Sequence, residues 1–243
     1  LRTIFWDVET SPLIVPVWGL WENNVSHENI LEETNILCAC WKELGKAEIR
    51  DLSVDPSKPR DDKGICRILR NVLAEADVIV AHNGDDFDLR VLNARLIYHG
   101  LAPLPQITTI DTKKVAKSKF RFVSNRLDYL GAYLGLGRKK KTEFKLWLDV
   151  LNGSREALNY MVRYCKQDIK LLEKVYLKLR PFMTNHPNQR LYNLKSNCPI
   201  CGKGPLISQG YRYTRTTVRQ RYQCKACGGW SQGWETVGRM KVA

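Results

Sequence analysis

The stretch Thr3-Ile4-Phe5-Trp6-Asp7-Val8-Glu9-Thr10 decides how the rest of this chain is read. Its first part is apolar, aromatic and β-branched, which predicts a buried strand over residues 3 to 8. Side chains on a strand alternate between faces, so Asp7 and Glu9 project to one side at the strand's end. A charged pair on a buried face needs compensation, and a divalent cation supplies it. Alone, Asp-x-Glu after an apolar strand occurs often by chance and identifies nothing.

Working outward, Pro12 halts the strand, and a loop containing Trp18 and Trp21 follows. Residues 36 to 42 and 47 to 54 read as two further strands joined by a turn at Gly45, an antiparallel start to a sheet. Ile65, Ile68, Leu69, Val72 and Leu73 recur at helical spacing. A short apolar strand, residues 78 to 81, comes next. Leu89, Leu92, Ala94 and Leu96 then mark a helix over about residues 86 to 98, stopped at Gly100. Ser124 is the expected N-cap of a short helix through Leu134, and Ser154 that of a long helix over residues 155 to 179, closed by Pro181. This order predicts an α/β fold, a mixed sheet with helices on its faces. Between residues 181 and 197 Pro, Asn, Gln and His cluster without apolar periodicity. The domains are accordingly placed at 1–183 and 197–243, with 184–196 as the linker.

Two more segments carry acidic residues in suggestive places. His82-Asn83-Gly84-Asp85-Asp86-Phe87-Asp88 leaves the 78–81 strand and opens a helix. Acids there favour the positive helix N-terminus, although three aspartates in four positions exceed what a cap requires. Tyr164 and Asp168 stand four apart on the long helix and share a face. Alone, that pair reads as a structural tyrosine and a surface acid.

Together and in this order, the three segments resemble the DEDD superfamily of 3′→5′ exonucleases, which includes DnaQ-like and family B polymerase proofreading domains. Asp7-Val8-Glu9 resembles the first family motif. Asn83, Phe87 and Asp88 resemble the second, selecting Asp88 over Asp85 and Asp86. Tyr164 and Asp168 resemble the third in its DEDDy form, with tyrosine where other members have histidine. The resemblance covers roughly residues 1 to 180 and implies an RNase H-like fold. It also implies that Asp7, Glu9, Asp88 and Asp168 bind two Mg²⁺ or Mn²⁺ ions, that Tyr164 positions the attacking water, and that Thr10 and Asn83 seat the 3′-terminal nucleotide. A nucleic acid with a 3′ end, DNA by expectation, is then the partner. A structure-specific endonuclease, a ribonuclease or a non-catalytic binding module on the same fold are the alternatives.

The charge distribution agrees with a polyanionic partner. The 243-residue chain carries a formal net charge of +14. Residues 186 to 243 hold ten Lys or Arg against one acid, Glu235, and residues 111 to 145 hold eleven against three. The rest is slightly acidic, so the basic character is two patches rather than a uniform coat. Within the first patch, Lys139, Lys140 and Lys141 are expected to track the substrate backbone.

Four of the eight cysteines form Cys198-Pro199-Ile200-Cys201 and Cys224-Lys225-Ala226-Cys227. Two such knuckles around a strand-rich spacer predict one tetrahedral structural Zn²⁺ in a small ribbon, with Gly202 and Gly228 permitting the tight turns. The ribbon resembles those of transposases and other DNA-processing proteins. Arg219, Arg221 and Tyr222, where basic residues alternate with aromatics, are its expected substrate contacts. Cys38, Cys40, Cys66 and Cys165 lie in apolar contexts and read as core. No apolar run reaches membrane-spanning length, and Asp7 arrives too early for a secretory segment, so no membrane partner and a cytoplasmic location are expected.

Overall fold

The computed structural model describes residues 1–19, 21, 24–140, 142–192 and 198–239. Nine strands and seven α-helices fall within them: β1 Thr3–Thr10, β2 Ile36–Glu43, β3 Arg50–Ser53, α1 Lys63–Ala74, β4 Val78–Ala81, α2 Asp88–Tyr98, β5 Thr108–Asp111, α3 Thr112–Lys119, α4 Leu127–Tyr133, α5 Lys145–Leu151, α6 Arg155–Leu179, α7 Gln189–Tyr192, β6 Leu206–Tyr213, β7 Thr217–Cys224, β8 Trp230–Gln232 and β9 Gly238–Arg239. The first five strands make one mixed sheet in the order β3-β2-β1-β4-β5. β1 to β3 are antiparallel neighbours, whereas β4 and β5 run parallel to β1.

β1 is central, which explains its unbroken apolar run: Thr3 to Trp6 are buried. The odd-numbered residues of β1 face α6, where the Phe5 ring meets Tyr176 edge-on at 5.2 Å. α6 is about 37 Å long at 1.5 Å per residue. Its inward stripe of Leu158, Met161, Val162, Cys165, Ile169, Leu172 and Val175 packs on β1 and β2. Asp168 sits inside that apolar stripe, buried. Ser154 caps α6 as its sequence predicts, its Oγ accepting from Ala157 N at 3.2 Å. Helix α1 packs on β2 and on α2.

The structure differs from the sequence reading in several places. The third strand is Arg50–Ser53 instead of residues 47 to 54, and α2 begins at Asp88 instead of near residue 86. Ser124 does not cap α4: the helix starts at Leu127, and Ser124 Oγ accepts from Arg126 N in the preceding turn. β5, α3 and α5 are elements that the sequence reading passed over. β5 is only four residues long, and its first two threonines are exposed, so it lacks the apolar signature of a strand. The predicted linker contains the short helix α7, and its residues 193 to 196 lie outside the described residues. The second sheet is separate, with order β6-β7-β8 and β9 paired to β7.

One buried polar network fastens the first layer. Asp62 Oδ2 accepts from Ile36 N and Arg95 Nε, while Oδ1 accepts from Arg95 Nη2 at 2.8 Å and meets His99 Nε2 at 2.6 Å. Burial opposes ionisation of Asp62, yet the Arg95 guanidinium, the Ile36 N–H and His99 hold its pKa below the ordinary value. Cys66 adjoins Asp62 and His99, but Arg95 already fills the role a cation would have there. Replacing Asp62 by Ala should strand the Arg95 charge and lower stability by roughly 3–5 kcal/mol in urea denaturation. A loss below about 1 kcal/mol would mean that Arg95 finds water or another partner.

Candidate active site

β1 runs past β4: their parallel pairing ends at Phe5↔Val80, leaving Trp6 to Thr10 without β4 on that side. Asp88 takes over there, its Oδ1 accepting from Val8 N at 3.1 Å. This places the first residue of α2 between the positions of Asp7 and Glu9. On the other flank, β1 stays paired to β2, with Asp7 opposite Cys40 and Glu9 opposite Cys38, and after a bulge between Glu9 and Thr10 the pairing resumes at Thr10 and Ile36. α6 brings Asp168 over the same face. One oxygen from each of Asp7, Glu9 and Asp168 lies within 4.8 Å of the other two. Asp88 stands beside this trio, and its charge raises the pKa values of Asp7 and Glu9.

The electrostatics are those of carboxylates with too few partners. Burial, then repulsion from Asp88, Glu9 and Asp168, pushes Asp7 well above its usual pKa. Burial, with Asp168 next, lifts Glu9 to about 8, and burial lifts Asp88 to about 6. Asp168 is raised by burial against the pull of Lys139. Its two oxygens are buried and accept no well-aligned hydrogen bond among the described residues. Among the described residues Lys139 is the cation that approaches: its Nζ lies 2.5 Å from Asp168 Oδ2 and 3.4 Å from the Tyr164 hydroxyl. Burial raises Tyr164 to about 12, so its phenol stays protonated. Cys165, beside Tyr164, points its Sγ at Asp7 Oδ2 at 3.5 Å, and Cys38, Cys40 and Cys165 are fully buried beneath the cluster.

Asn83 occupies the turn after β4 with a φ of 71°, a left-handed conformation that asparagine tolerates better than most residues. Its N–H donates to Asp111 Oδ1 and its Oδ1 accepts from Lys113 Nζ. The following Gly84 has no room for a side chain, since a Cβ would lie 2.3 Å from that of Ala81. Asp111 was not anticipated from sequence. It ends β5, caps α3 by accepting from Lys113 N and Lys114 N, and leaves Oδ2 buried and unpartnered among the described residues. A Thr-Ile-Asp-Thr run that passes from strand to cap was its only signal. His82 pins this region by joining Thr112 Oγ1 and Asn125 O, both at 2.9 Å, and burial lowers its pKa to about 4. Thr10 is half-buried at the bulge. Lys139 stands against the carboxylate cluster, whereas Lys140 is exposed near the Tyr160 ring. Lys141 lies outside the described residues.

In the second sheet the four knuckle cysteines converge. The Cys198–Cys227 and Cys201–Cys224 sulfurs are each 3.8 Å apart, far beyond a disulfide bond. A tetrahedron with metal–sulfur bonds of about 2.3 Å has edges of about 3.8 Å, so the set fits a Zn²⁺ ion. Backbone N–H groups of Ile200, Lys203 and Ala226 point at Cys198, Cys201 and Cys224 Sγ, as thiolates require. Gly202 and Gly228 have φ near +70°, the left-handed turns expected after each knuckle. Strand alternation separates the expected contacts. Arg219 and Arg221 share a face with the paired Arg212 and Gln232, and the Arg221 guanidinium lies over the Trp230 ring at 5.3 Å. Tyr222 is on the opposite face with Tyr211 and Tyr213.

A mixed sheet whose central strand presents a carboxylate pair to a second pair from two helices defines an α/β protein with an acidic candidate active site. The chain belongs to the RNase H superfamily, whose model matches residues 31–180 and so includes Asp88, Tyr164 and Asp168. The curated proteins include no sequence match. In fold it is similar to the family B DNA polymerase from the hyperthermophilic archaeon Pyrobaculum calidifontis, with a TM-score of 0.54 and 16% identity over 75% of this chain. It spans 25% of that polymerase's length.

The pKa shifts fix the sign of a pH effect. A carboxylate whose pKa is higher in the fold than in the unfolded chain favours the fold below its unfolded value of about 4. That advantage is lost as pH rises through the folded values, about 6 for Asp88 and about 8 for Glu9. Asp7→Asn should therefore raise the melting temperature of the metal-free protein at about pH 9 and leave it nearly unchanged at about pH 4. A variant that melts lower than wild type at the higher pH would contradict the buried repulsion.

Proposed function

We propose that the chain is a metal-dependent 3′→5′ exonuclease of the DEDDy type that acts on DNA. Residues 1–183 form the nuclease domain, 184–196 the linker and 197–243 a zinc ribbon that adds affinity for substrate. One observation carries the reading: oxygens of half-buried Asp7 and Glu9 and of buried Asp168 lie within 4.8 Å of one another, beside Asp88, and among the described residues Lys139 is the cation set against them. Four carboxylates so placed repel one another unless cations join them. Asp7, Glu9, Asp88 and Asp168 would hold Mg²⁺ or Mn²⁺, which prefer hard oxygen donors. Two such ions, when bound, stabilise charge on the attacking and leaving oxygens of a phosphodiester displacement.

The chain's own groups supply the rest. The Tyr164 phenol, kept protonated, donates a hydrogen bond that orients the attacking water. Asn83, held in its turn by Asp111 and Lys113, and Thr10 at the bulge seat the terminal nucleotide. Lys139 neutralises Asp168 until cations enter. Membership of the RNase H superfamily supports a nuclease, as does the fold likeness to a DNA polymerase. The 3.8 Å sulfur spacing supports zinc in the ribbon, and the Arg212, Arg219 and Arg221 face beside Trp230 suits phosphate contact with stacking. Among the described residues no helix is long and apolar enough to cross a membrane.

With end-labelled oligonucleotides and Mg²⁺ or Mn²⁺, the wild-type chain should shorten DNA stepwise from the 3′ end. Asp7→Ala and Glu9→Ala should abolish this, and Tyr164→Phe should slow single turnovers by about 10²-fold. Internal cuts, or near wild-type rates in either carboxylate variant, would refute the proposal. For the ribbon, elemental analysis should find one zinc per chain. The double variant Arg219→Gln/Arg221→Gln should bind DNA more weakly with a flatter salt dependence, because with fewer phosphate contacts binding releases fewer counterions. Unchanged affinity at every salt concentration would leave the ribbon a different role.

A further inference from the structure

The first basic patch contains a chain of aromatic rings that the chemistry above does not use. Tyr129 and Tyr133, four apart on α4, stack with centroids 5.9 Å apart. Tyr133 meets Phe122 edge-on at 5.2 Å, Phe122 stacks on Phe120 at 5.0 Å, and Phe120 meets Phe182 edge-on at 5.0 Å. Phe120, Phe122 and Tyr129 also pack against the core, so part of this chain serves stability. The other two do not bury themselves: Tyr133 is 65% and Phe182 57% exposed.

Both ends of the chain are anchored. Asp128, next to Tyr129, accepts from Lys139 N through Oδ1, and Lys139 reaches Asp168. His82, at the end of β4, holds Asn125 just before α4. At the far end, Lys119 Nζ donates to Thr184 Oγ1, and Pro181, preceding Phe182, lies against Gly229, where a Cβ would sit 3.5 Å from the proline Cα. Trp230, with Arg221 over its ring, comes immediately after Gly229. The rings thus lead from the carboxylates to the arginine face of the ribbon.

Charge identifies the occupant. Lys117, Lys119, Arg121 and Arg126 are exposed around the rings, and residues 112 to 126 contain no acid. Among the described residues none of these four cations has a carboxylate partner. A polyanion with flat apolar faces satisfies both features, which single-stranded nucleic acid does and duplex does not, because pairing hides the faces of its bases. Resting on the nuclease reading, we propose that Tyr133, Phe122 and Phe182 form a stacking platform for unpaired bases, carrying a single strand between the carboxylate cluster and the ribbon.

The test is binding of fluorescein-labelled oligodeoxythymidine by full-length protein in an Asp7→Ala background, read by anisotropy. Tyr133→Ser and Phe182→Ser should each weaken binding of a long oligonucleotide by about 10-fold, the scale of one stacked base. Tyr133→Trp should restore it. Affinity for a tetranucleotide and for a blunt duplex should not change. Circular dichroism melts that match the parent establish that the serine variants are folded. No loss on the long strand, or an equal loss on the duplex, overturns the platform. If the wild-type chain shortens DNA while these variants bind normally, only the platform fails. If the wild-type chain neither binds nor cuts any oligonucleotide, the nuclease reading fails with it.

Discussion

The hydrogen bond from Val8 N to Asp88 Oδ1 is the contact on which the acidic cluster depends. A central strand that outlasts its parallel neighbour leaves backbone donors that must be satisfied. Here a carboxylate does so at Val8, and in doing so it fixes where α2 starts and brings Asp88 between Asp7 and Glu9. The turn that makes this possible needs Gly84, for want of space beside Ala81, and Asn83 in a left-handed conformation. The helix start, the turn and the strand end are one constraint seen from three sides.

Two buried carboxylate environments show how the fold treats charge. Asp62 receives a guanidinium, a backbone N–H and His99, and its pKa falls. Asp7 and Glu9 face other carboxylates, which add to burial, while burial outweighs the Val8 N–H at Asp88 and Lys139 at Asp168, and all four pKa values rise. Burial raises the pKa in both, and at Asp62 alone the partners outweigh it. The apolar stripe of α6 and the largely buried strands β1 and β2 hold the repelling groups together, and Asp168 is carried inside that stripe. The sulfurs divide in the same way. Cys38, Cys40, Cys66 and Cys165 are small core side chains, while Cys198, Cys201 and Cys224 accept backbone N–H bonds and converge with Cys227.

Surface chemistry follows the strand and helix periods. In β7 a period of two sorts arginines from tyrosines, so the ribbon has one cationic face with Trp230 and one tyrosine face. In α4 the i, i+4 spacing does the opposite, stacking Tyr129 on Tyr133. Similar mixtures of basic and aromatic residues therefore yield separated faces in one place and a continuous row of rings in another.

From the sequence alone came the elements that bury an apolar face: β1, β2, β4, α1, α2 and α6, whose signals are local because hydrophobic period and capping residues lie within a few positions. The Ser154 cap and the left-handed glycines after the knuckles belong to this class. So did the set of acidic and cysteine residues worth watching, since residue type and spacing are enough to nominate them. What only the tertiary structure decided was how those residues meet. Lys139 looked like one cation in a basic run, and chain folding put it 2.5 Å from Asp168. Asp111 ends an edge strand too short and too exposed to announce itself, and Asn83 acquires its partners only because β5 lies beside β4. Tyr133 and Phe182 are 49 positions apart, yet rings join them across the surface. Local periodicity specifies which face of an element is apolar, but the neighbours of a polar side chain are set by which elements pack together, and that is a property of the whole chain.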